Sequence, residues 1–166
     1  MGKRRGKIAE KRFKITLNAY EELGYKFWAT RIDDMSSMNR DIACDYLISA
    51  DNLLHAIEIK EISYKGEDVV HKIGFKNFEK RGQIDRIINF ESLGFNHKAW
   101  HLIMFWKQSM LLSPSYLIPS RVLLEKMTIN PLRHFKEQEM DSLFGEYRLK
   151  IFNSKFLSLP MLFKEN

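Results

Sequence analysis

Two hydrophobic rhythms run along this chain, one helical and one strand-like. Over residues 7–23 Phe13, Leu17 and Tyr20 recur at helical spacing, with Ala9 one turn earlier. That pattern predicts a helix, and Gly24 after Leu23 predicts its end. The stretch "YKFWATRI", 25–32, is rich in aromatic and β-branched residues and predicts a strand. "DDMSSMNRD", 33–41, predicts a polar loop. Two runs rich in Leu and Ile follow, at about 42–48 and 53–62, on either side of Ser49-Ala50-Asp51-Asn52. They predict a hairpin. "SYKGEDVVHKIGFKN", 63–77, is expected to be a glycine-containing connection. Residues 78–93 predict a helix with Ile84, Ile87 and Ile88 on one side and Gly94 after its end. "AWHLIMFW", 99–106, is almost continuously apolar and reads as a buried strand. "SYLIP" predicts a further short strand, and 120–127 a helix with Ser120 as its cap. After that Pro131 and Pro160 bound a mixed segment with no assignable period.

The order is helix, three strands, helix, strand, then a variable tail. It predicts one α/β domain over 1–166, a sheet flanked by helices, with a basic arm at about 1–7 and a C-terminal extension at about 130–166. A helix between the third and fourth strands permits a crossover.

The hairpin carries charges where a core strand would carry none. Glu58 and Lys60 are two residues apart and project to one face, while Ile57 and Ile59 project to the other. A two-residue turn at Asp51-Asn52 would set Asp45 opposite Glu58, and a four-residue loop at 49–52 would set it opposite Ala56. Either register leaves Asp45 on the face of Glu58 and Lys60. Two adjacent carboxylates raise each other's pKa, and a hard divalent cation removes that conflict. Such a cation polarises a phosphoryl oxygen, and a nearby ammonium orients water or offsets developing charge. Taken alone, E-x-K is also an ordinary surface pair on a half-exposed strand. Glu10 lies at the border of the first helix's apolar stripe, where it could reach the end of a sheet beneath. Taken by itself, a first-turn Glu is better explained by the helix dipole.

Composition narrows the classes. The apolar fraction of 45% and the aromatic fraction of 13% argue for a folded domain. No run approaches the roughly 18 apolar residues of a membrane span. The basic start has no apolar stretch behind it, so no secretory signal is expected. Cys44 is the only cysteine, which excludes an intrachain disulfide and favours a reducing, cytoplasmic setting. His55, His71, His97, His101 and His134 are scattered without metal-ligand spacing, and no P-loop or dinucleotide glycine pattern occurs. The net charge is +6, with cations dense at Lys3, Arg4, Arg5, Lys7, Lys11, Arg12 and Lys14. That suits a polyanion, with the first of these as a phosphate-contacting arm. Tyr25, Phe27 and Trp28 could stack on bases, although strand aromatics more often fill cores.

The set Glu10, Asp45, Glu58-x-Lys60 resembles the restriction-endonuclease-like, PD-(D/E)xK nuclease pattern. Within it the chain is most similar to the RecU-type Holliday junction resolvases. "RGKIAE", 5–10, resembles their R-G-x-x-x-E, "CDY", 44–46, their D-Y, and "AIEIKEI" their E-A-K strand. "FKNFEKRGQI", 75–84, resembles their K-N-F-x-x-x-Q-I, with one extra residue before Gln83. "MDSLFGEYRLKIF…LPMLF" is loosely similar to their C-terminal end. The family's long excursion before the D-Y strand is replaced here by "DDMSSMNRDIA". The resemblance implies a restriction-endonuclease-like core with a central mixed β-sheet. It implies Mg²⁺, with Mn²⁺ able to substitute, held by Asp45 and Glu58, with Lys60 at the attacking water and Glu10 and Gln83 beside them. Lys3, Arg4, Arg5, Lys7 and Lys11 would contact DNA, the substrate would be a four-way junction in recombination and repair, and the enzyme would be a homodimer. The alternatives are a general or restriction-like DNA nuclease of the same fold, and a non-catalytic nucleic-acid-binding relative.

Overall fold

Helix α1 (Lys7–Glu22) stops at the expected glycine. Gly24 takes φ +88°. Its amide donates to the Glu21 carbonyl at 2.9 Å, and the Tyr25 amide donates to the Tyr20 carbonyl at 3.1 Å. This pair of bonds closes a helix when a left-handed residue follows it. The computed structural model describes residues 7–32, 44–63, 71–74, 83–108, 110–129, 134–152 and 156–164. The loop at 33–41 and residues 78–82 of the second predicted helix lie outside them, as do Lys3, Arg4 and Arg5.

Strands β1 (Phe27–Arg31), β2 (Tyr46–Ala50) and β3 (Leu53–Ser63) form an antiparallel meander. Ala50 faces Leu53, so the turn is the two-residue Asp51-Asn52. Both residues take positive φ, 50° and 63°. Asp and Asn tolerate this region better than other side chains, and the resulting turn matches the strand twist. The four-residue loop is thereby excluded.

After β4 (Lys72–Gly74), helix α2 (Gln83–Ser92) crosses over and β5 (His97–Trp106) returns parallel to β3. Strand β6 (Ser115–Pro119) pairs antiparallel with β5. The spatial order β1-β2-β3-β5-β6 makes a mixed five-stranded sheet. Its β5 is buried on both faces, as an uninterrupted apolar run requires. One face packs Ile57, Ile59, Leu102 and Met104 under Phe13 and Leu17 of α1. The other packs Ile103, Phe105 and Ile118 against α3 (Ser120–Ile129) and α4 (Glu137–Phe144). Ala56 and Ala99 meet Ile87 and Phe90 of α2 on that same side. The fold is therefore α/β, a mixed central sheet flanked by helices.

Two expectations are corrected. The stretch 63–77 is not only connection: β4 pairs with β7 (His134–Lys136) in a separate two-stranded sheet, Ile73 opposite Phe135, both buried. Three residues are too few to show a period. The Ser120 hydroxyl, expected to cap α3, is bonded instead to His101 Nδ1 at 2.9 Å. The tail, which showed no period in the sequence, also takes part in the core. After β8 (Ile151–Phe152) and β9 (Phe156–Leu157), Leu157, Leu159, Leu162 and Phe163 complete the core over α1. Thr16 Oγ1 accepts the Leu157 amide at 3.1 Å, and the Tyr20 hydroxyl accepts the Leu159 amide at 2.6 Å.

One buried group makes stability depend on pH. His55 Nδ1 accepts a hydrogen bond from Trp100 Nε1 at 3.0 Å. Burial, helped by the Lys98 charge, pushes the imidazole down to about 4. The unfolded chain takes up this proton first, so the native state is favoured above pH ~6.5 and loses that advantage as pH falls towards 4. From the ordinary 6.5 to about 4, the effect is on the order of 3 kcal/mol. His55→Gln, which can still accept from Trp100, should flatten the fall in melting temperature between pH 6.5 and 4. An unchanged slope in the variant would assign the fall to other groups.

Candidate active site

The site grows from the end of β2. The alternating register would carry Asp45 to a place opposite Glu58. Instead the Asp45 amide donates to the Ile57 carbonyl at 2.9 Å, while Tyr46 is the residue facing Ile57. Two residues of one strand thus oppose one of the other, a β-bulge, which re-aims a side chain at a strand end. The Asp45 carboxylate turns inward, and its Oδ2 accepts the Ile59 amide at 2.6 Å. This side chain takes over the ladder where the β2 backbone leaves it. Next along β3, Lys60 Nζ donates to Glu58 Oε1 at 2.6 Å. Glu58 is 4% exposed. A carboxylate that deep requires a charged partner, and Lys60 supplies one. Asp45, Glu58 and Lys60 are therefore gathered within three consecutive β3 positions and one strand end.

Glu10 approaches by another route. Its Oε2 is 2.6 Å from a guanidinium nitrogen of Arg31 on β1. Arg31 precedes Ile32, whose amide donates to the Asp45 carbonyl at 2.9 Å. The helix carrying Glu10 is anchored to β3 by Glu61, whose Oε2 accepts the Ala9 amide at 2.9 Å. A carboxylate on a helix N-terminus is favoured by the exposed amides and the dipole. Glu10 is thus joined to Arg31, the residue before Ile32. Lys11 is exposed on α1. Lys7 and Gln83 open α1 and α2, and their side chains lie outside the described residues.

Three neighbours carry no signal in the sequence. Arg31 and Glu61 hold Glu10's surroundings, and each reads there as a surface charge. His101 stands opposite Glu58 across β3 and β5. It is fully buried, and burial together with the Lys60 charge pushes it down to about 3. It is neutral at physiological pH. Only the parallel pairing brings it to Glu58, and spacing along the chain suggested an ordinary polar position. Cys44 is buried against the same region. Burial first, then the Glu58 and Asp45 charges, push its thiol up to about 12. The thiol is held in its neutral form there.

The carboxylates present are oxygen donors, the kind a small hard cation takes. Among the described residues no three His, Cys, Asp or Glu side chains form a metal-holding group. Zinc-type cages are thus not in view, but Mg²⁺ characteristically needs only one or two carboxylates, with water and phosphate oxygens completing its shell. Asp45 and Glu58 are the two carboxylates here that could hold such an ion.

Fold and site together define an α/β protein with two carboxylates and a lysine converging at the end of a bulged hairpin. No protein-family model matches the chain, and no curated protein matches it in sequence. Among solved structures, it is similar to Hjc, a Holliday junction resolvase from the archaeal hyperthermophile Archaeoglobus fulgidus. The TM-score is 0.45 and the identity 15%, over 81% of this chain and 92% of that one. No helix among the described residues is long and apolar enough to cross a membrane.

Proposed function

We propose that this protein is a divalent-metal-dependent endodeoxyribonuclease that acts on branched DNA, with the four-way junction as its substrate. The observation that carries the reading is the buried Glu58–Lys60 pair beside an Asp45 carboxylate fixed on the Ile59 amide. A non-catalytic binder would gain nothing from gathering carboxylates where phosphates must pass. Asp45 and Glu58 would hold Mg²⁺, with Mn²⁺ able to replace it. That ion, when bound, polarises the scissile phosphate and eases deprotonation of the attacking water. The chain's own groups then have separate tasks. Lys60 donates a hydrogen bond to the attacking water or to a phosphoryl oxygen as charge builds there. The Asp45–Ile59 bond holds the carboxylate at one angle before substrate arrives. Glu10, paired with Arg31, and Gln83 would stand beside these groups in this reading.

The test is cleavage of four-way, linear and single-stranded DNA with Mg²⁺ and with EDTA. Mg²⁺-dependent incision of the junction, symmetric across its centre, supports the reading. Incision of linear duplex at the same rate would make the protein a general or restriction-like nuclease, and no incision at all would leave it a binding relative.

Two further results are expected. Replacing Lys3, Arg4 and Arg5 together by Ala should weaken binding evenly across sequences. Each lost phosphate contact should reduce the slope of log affinity against log salt by roughly 0.9. A slope equal to that of the parent would remove the arm from the interface. Second, symmetric incision calls for a homodimer, since two-fold pairing presents two sites to two strands. Light scattering should report twice the chain mass, and a monomer at all concentrations, alone and with DNA, would end this expectation.

A further inference from the structure

The two edges of the sheet end differently. Outside β6 the chain returns: Tyr116 bridges to Arg148, and the Leu149 amide donates to the Ser115 carbonyl at 2.8 Å. Outside β1 no strand pairs among the described residues. The inner side of β1 is taken by β2. The Ile32 amide donates to the Asp45 carbonyl at 2.9 Å, and the register runs unbroken back to Phe27 opposite Ala50. Alternate residues of an antiparallel pair bond inward, so Thr30 and Trp28 bond β2 as Ile32 does. Ala29 and Phe27 then turn amide and carbonyl outward. Proteins blunt such an edge with proline, lysine or a bulge. The five residues of β1, Phe-Trp-Ala-Thr-Arg, carry none of these.

The two faces of β1 have different surroundings. Phe27 and Ala29 pack on the core with α1. Trp28 and Thr30 lie on the opposite face, the one that runs through Ser49 and Leu54 to Glu58 and Lys60. Trp28 is 57% exposed there, an aromatic left in water at an open edge. On the α1 side, charge is unevenly placed. Lys11 and Lys14 come early in the helix, Glu21 and Glu22 late, and all four are exposed. Lys11, Lys14 and Glu21 line the cleft between α1 and β1. The Glu10–Arg31 pair puts the early end of α1 at the late end of β1.

We propose that β1 pairs antiparallel with β1 of a second copy, about a two-fold axis at Ala29 normal to the sheet, so that two sheets become one. The proposal deepens the homodimer expected above by locating its contact, and rests on the nuclease reading for why two sites are needed. Three features select a second copy of this chain as the occupant. The register is its own complement: Ala29 opposite Ala29 exchanges both outward bonds, and Phe27 comes opposite Arg31 of the second copy. Trp28 comes opposite Thr30 of the second copy in a non-bonded pair, where side chains lie closest, and an aromatic against a β-branched residue is a favourable cross-strand pair. The same rotation runs the two α1 helices in opposite directions, bringing Lys11 and Lys14 of one towards Glu21 and Glu22 of the other, which is electrostatic complementarity. It also keeps both Glu58–Lys60 faces on one side of the joined sheet, where a single branched substrate can meet both.

Two experiments check the contact. Ala29→Pro removes an outward amide, and an edge strand tolerates proline where the amide faces away from the sheet. By light scattering the parent should show twice the chain mass and Ala29→Pro half the parent's mass, with the parent's circular dichroism retained. Trp28→Cys and Thr30→Cys chains, co-expressed and oxidised, should form a covalent dimer on a non-reducing gel. Opposed Cα atoms of a non-bonded pair stand about 4.5 Å apart, within disulfide reach. Either variant alone should give no cross-link, because two copies of one position are diagonal, roughly 7–8 Å apart. A dimer that survives Ala29→Pro, or a co-expressed pair that forms no cross-link, would overturn this contact and keep the homodimer. A parent that is monomeric at all concentrations, alone and with DNA, would overturn both. If Ala29→Pro fails to fold, the cross-linking pattern decides alone. A cross-linked dimer that cuts no DNA in Mg²⁺ would leave this contact standing and end the nuclease reading.

Discussion

Replacing Asp45 by Asn is expected to abolish metal-dependent cleavage, by about three orders of magnitude or more, and to leave DNA affinity within a few-fold of the parent. The asymmetry follows from what each interaction does. Affinity for DNA comes mostly from cations that displace counterions along the backbone, and Asp45 is not among them. In the proposed reaction, catalysis needs a negative charge that would draw a divalent cation to the strand end. The isosteric amide is the right substitution because of the 2.6 Å bond from the Ile59 amide to Asp45 Oδ2. An Asn carbonyl can still accept that bond, so the ladder end should stay closed. Asp45→Ala would leave the amide without its acceptor, at about 1–3 kcal/mol, and would confuse lost chemistry with lost structure. Melting curves of the parent and the Asn variant should therefore nearly coincide. Full activity of Asp45→Asn in Mg²⁺ would remove Asp45 from the site. Glu58→Gln is a harsher test of the same pair. It leaves the Lys60 ammonium, 2.6 Å from Glu58 Oε1, beside a neutral amide in a buried place. Loss of activity there should come with a lower melting temperature.

Ending the chain after Phe152 is expected to unfold it. Leu157, Leu159, Leu162 and Phe163 are each no more than 2% exposed. Burial of such side chains is worth about 2 kcal/mol apiece, so removing four of them forfeits on the order of 8 kcal/mol. That equals the whole stability of an ordinary domain. Phe163 also stacks on Tyr20 with centroids 4.4 Å apart, and the Tyr20 hydroxyl accepts the Leu159 amide. Tyr20 thus loses partners for both its ring and its hydroxyl at once. Circular dichroism and denaturant titration would check this, with Phe163→Ala as the milder variant at about 3–5 kcal/mol. A truncated chain that melts cooperatively near the parent's temperature would show that the tail is dispensable.

The cleavage and truncation experiments address opposite ends of what can be read from residue order. The charges at Asp45, Glu58 and Lys60 are legible because a strand has a period of two and a polar residue on a buried run stands out. The first helix and its glycine stop are legible because an apolar stripe and a left-handed residue are local properties. The Asp51-Asn52 turn was open between two registers, since a turn's length depends on which strand residues pair. The bulge at Asp45 was not visible at all: it is one extra residue in a ladder that only the partner strand defines. Nor was the tail. Leu157, Leu159, Leu162 and Phe163 have no period of their own, because each fills a gap on α1 and the sheet, far from any element it could share a rhythm with.

By itself, then, the order of residues determined the elements whose signal is local, the α/β succession they make, and which carboxylates and which lysine were candidates for chemistry. Tertiary structure alone decided that β5 pairs parallel to β3, which puts a neutral His101 opposite Glu58. It decided that Glu10 is held by Arg31, that Trp28 is left outside while Phe27 goes in, and that the tail closes the core. The reason is the same in each case. Hydrogen bonds within a helix and alternation within a strand act over a few residues and are written in spacing. Pairing, burial and charge contacts join residues tens of positions apart, and they take their values only when the whole sheet has formed.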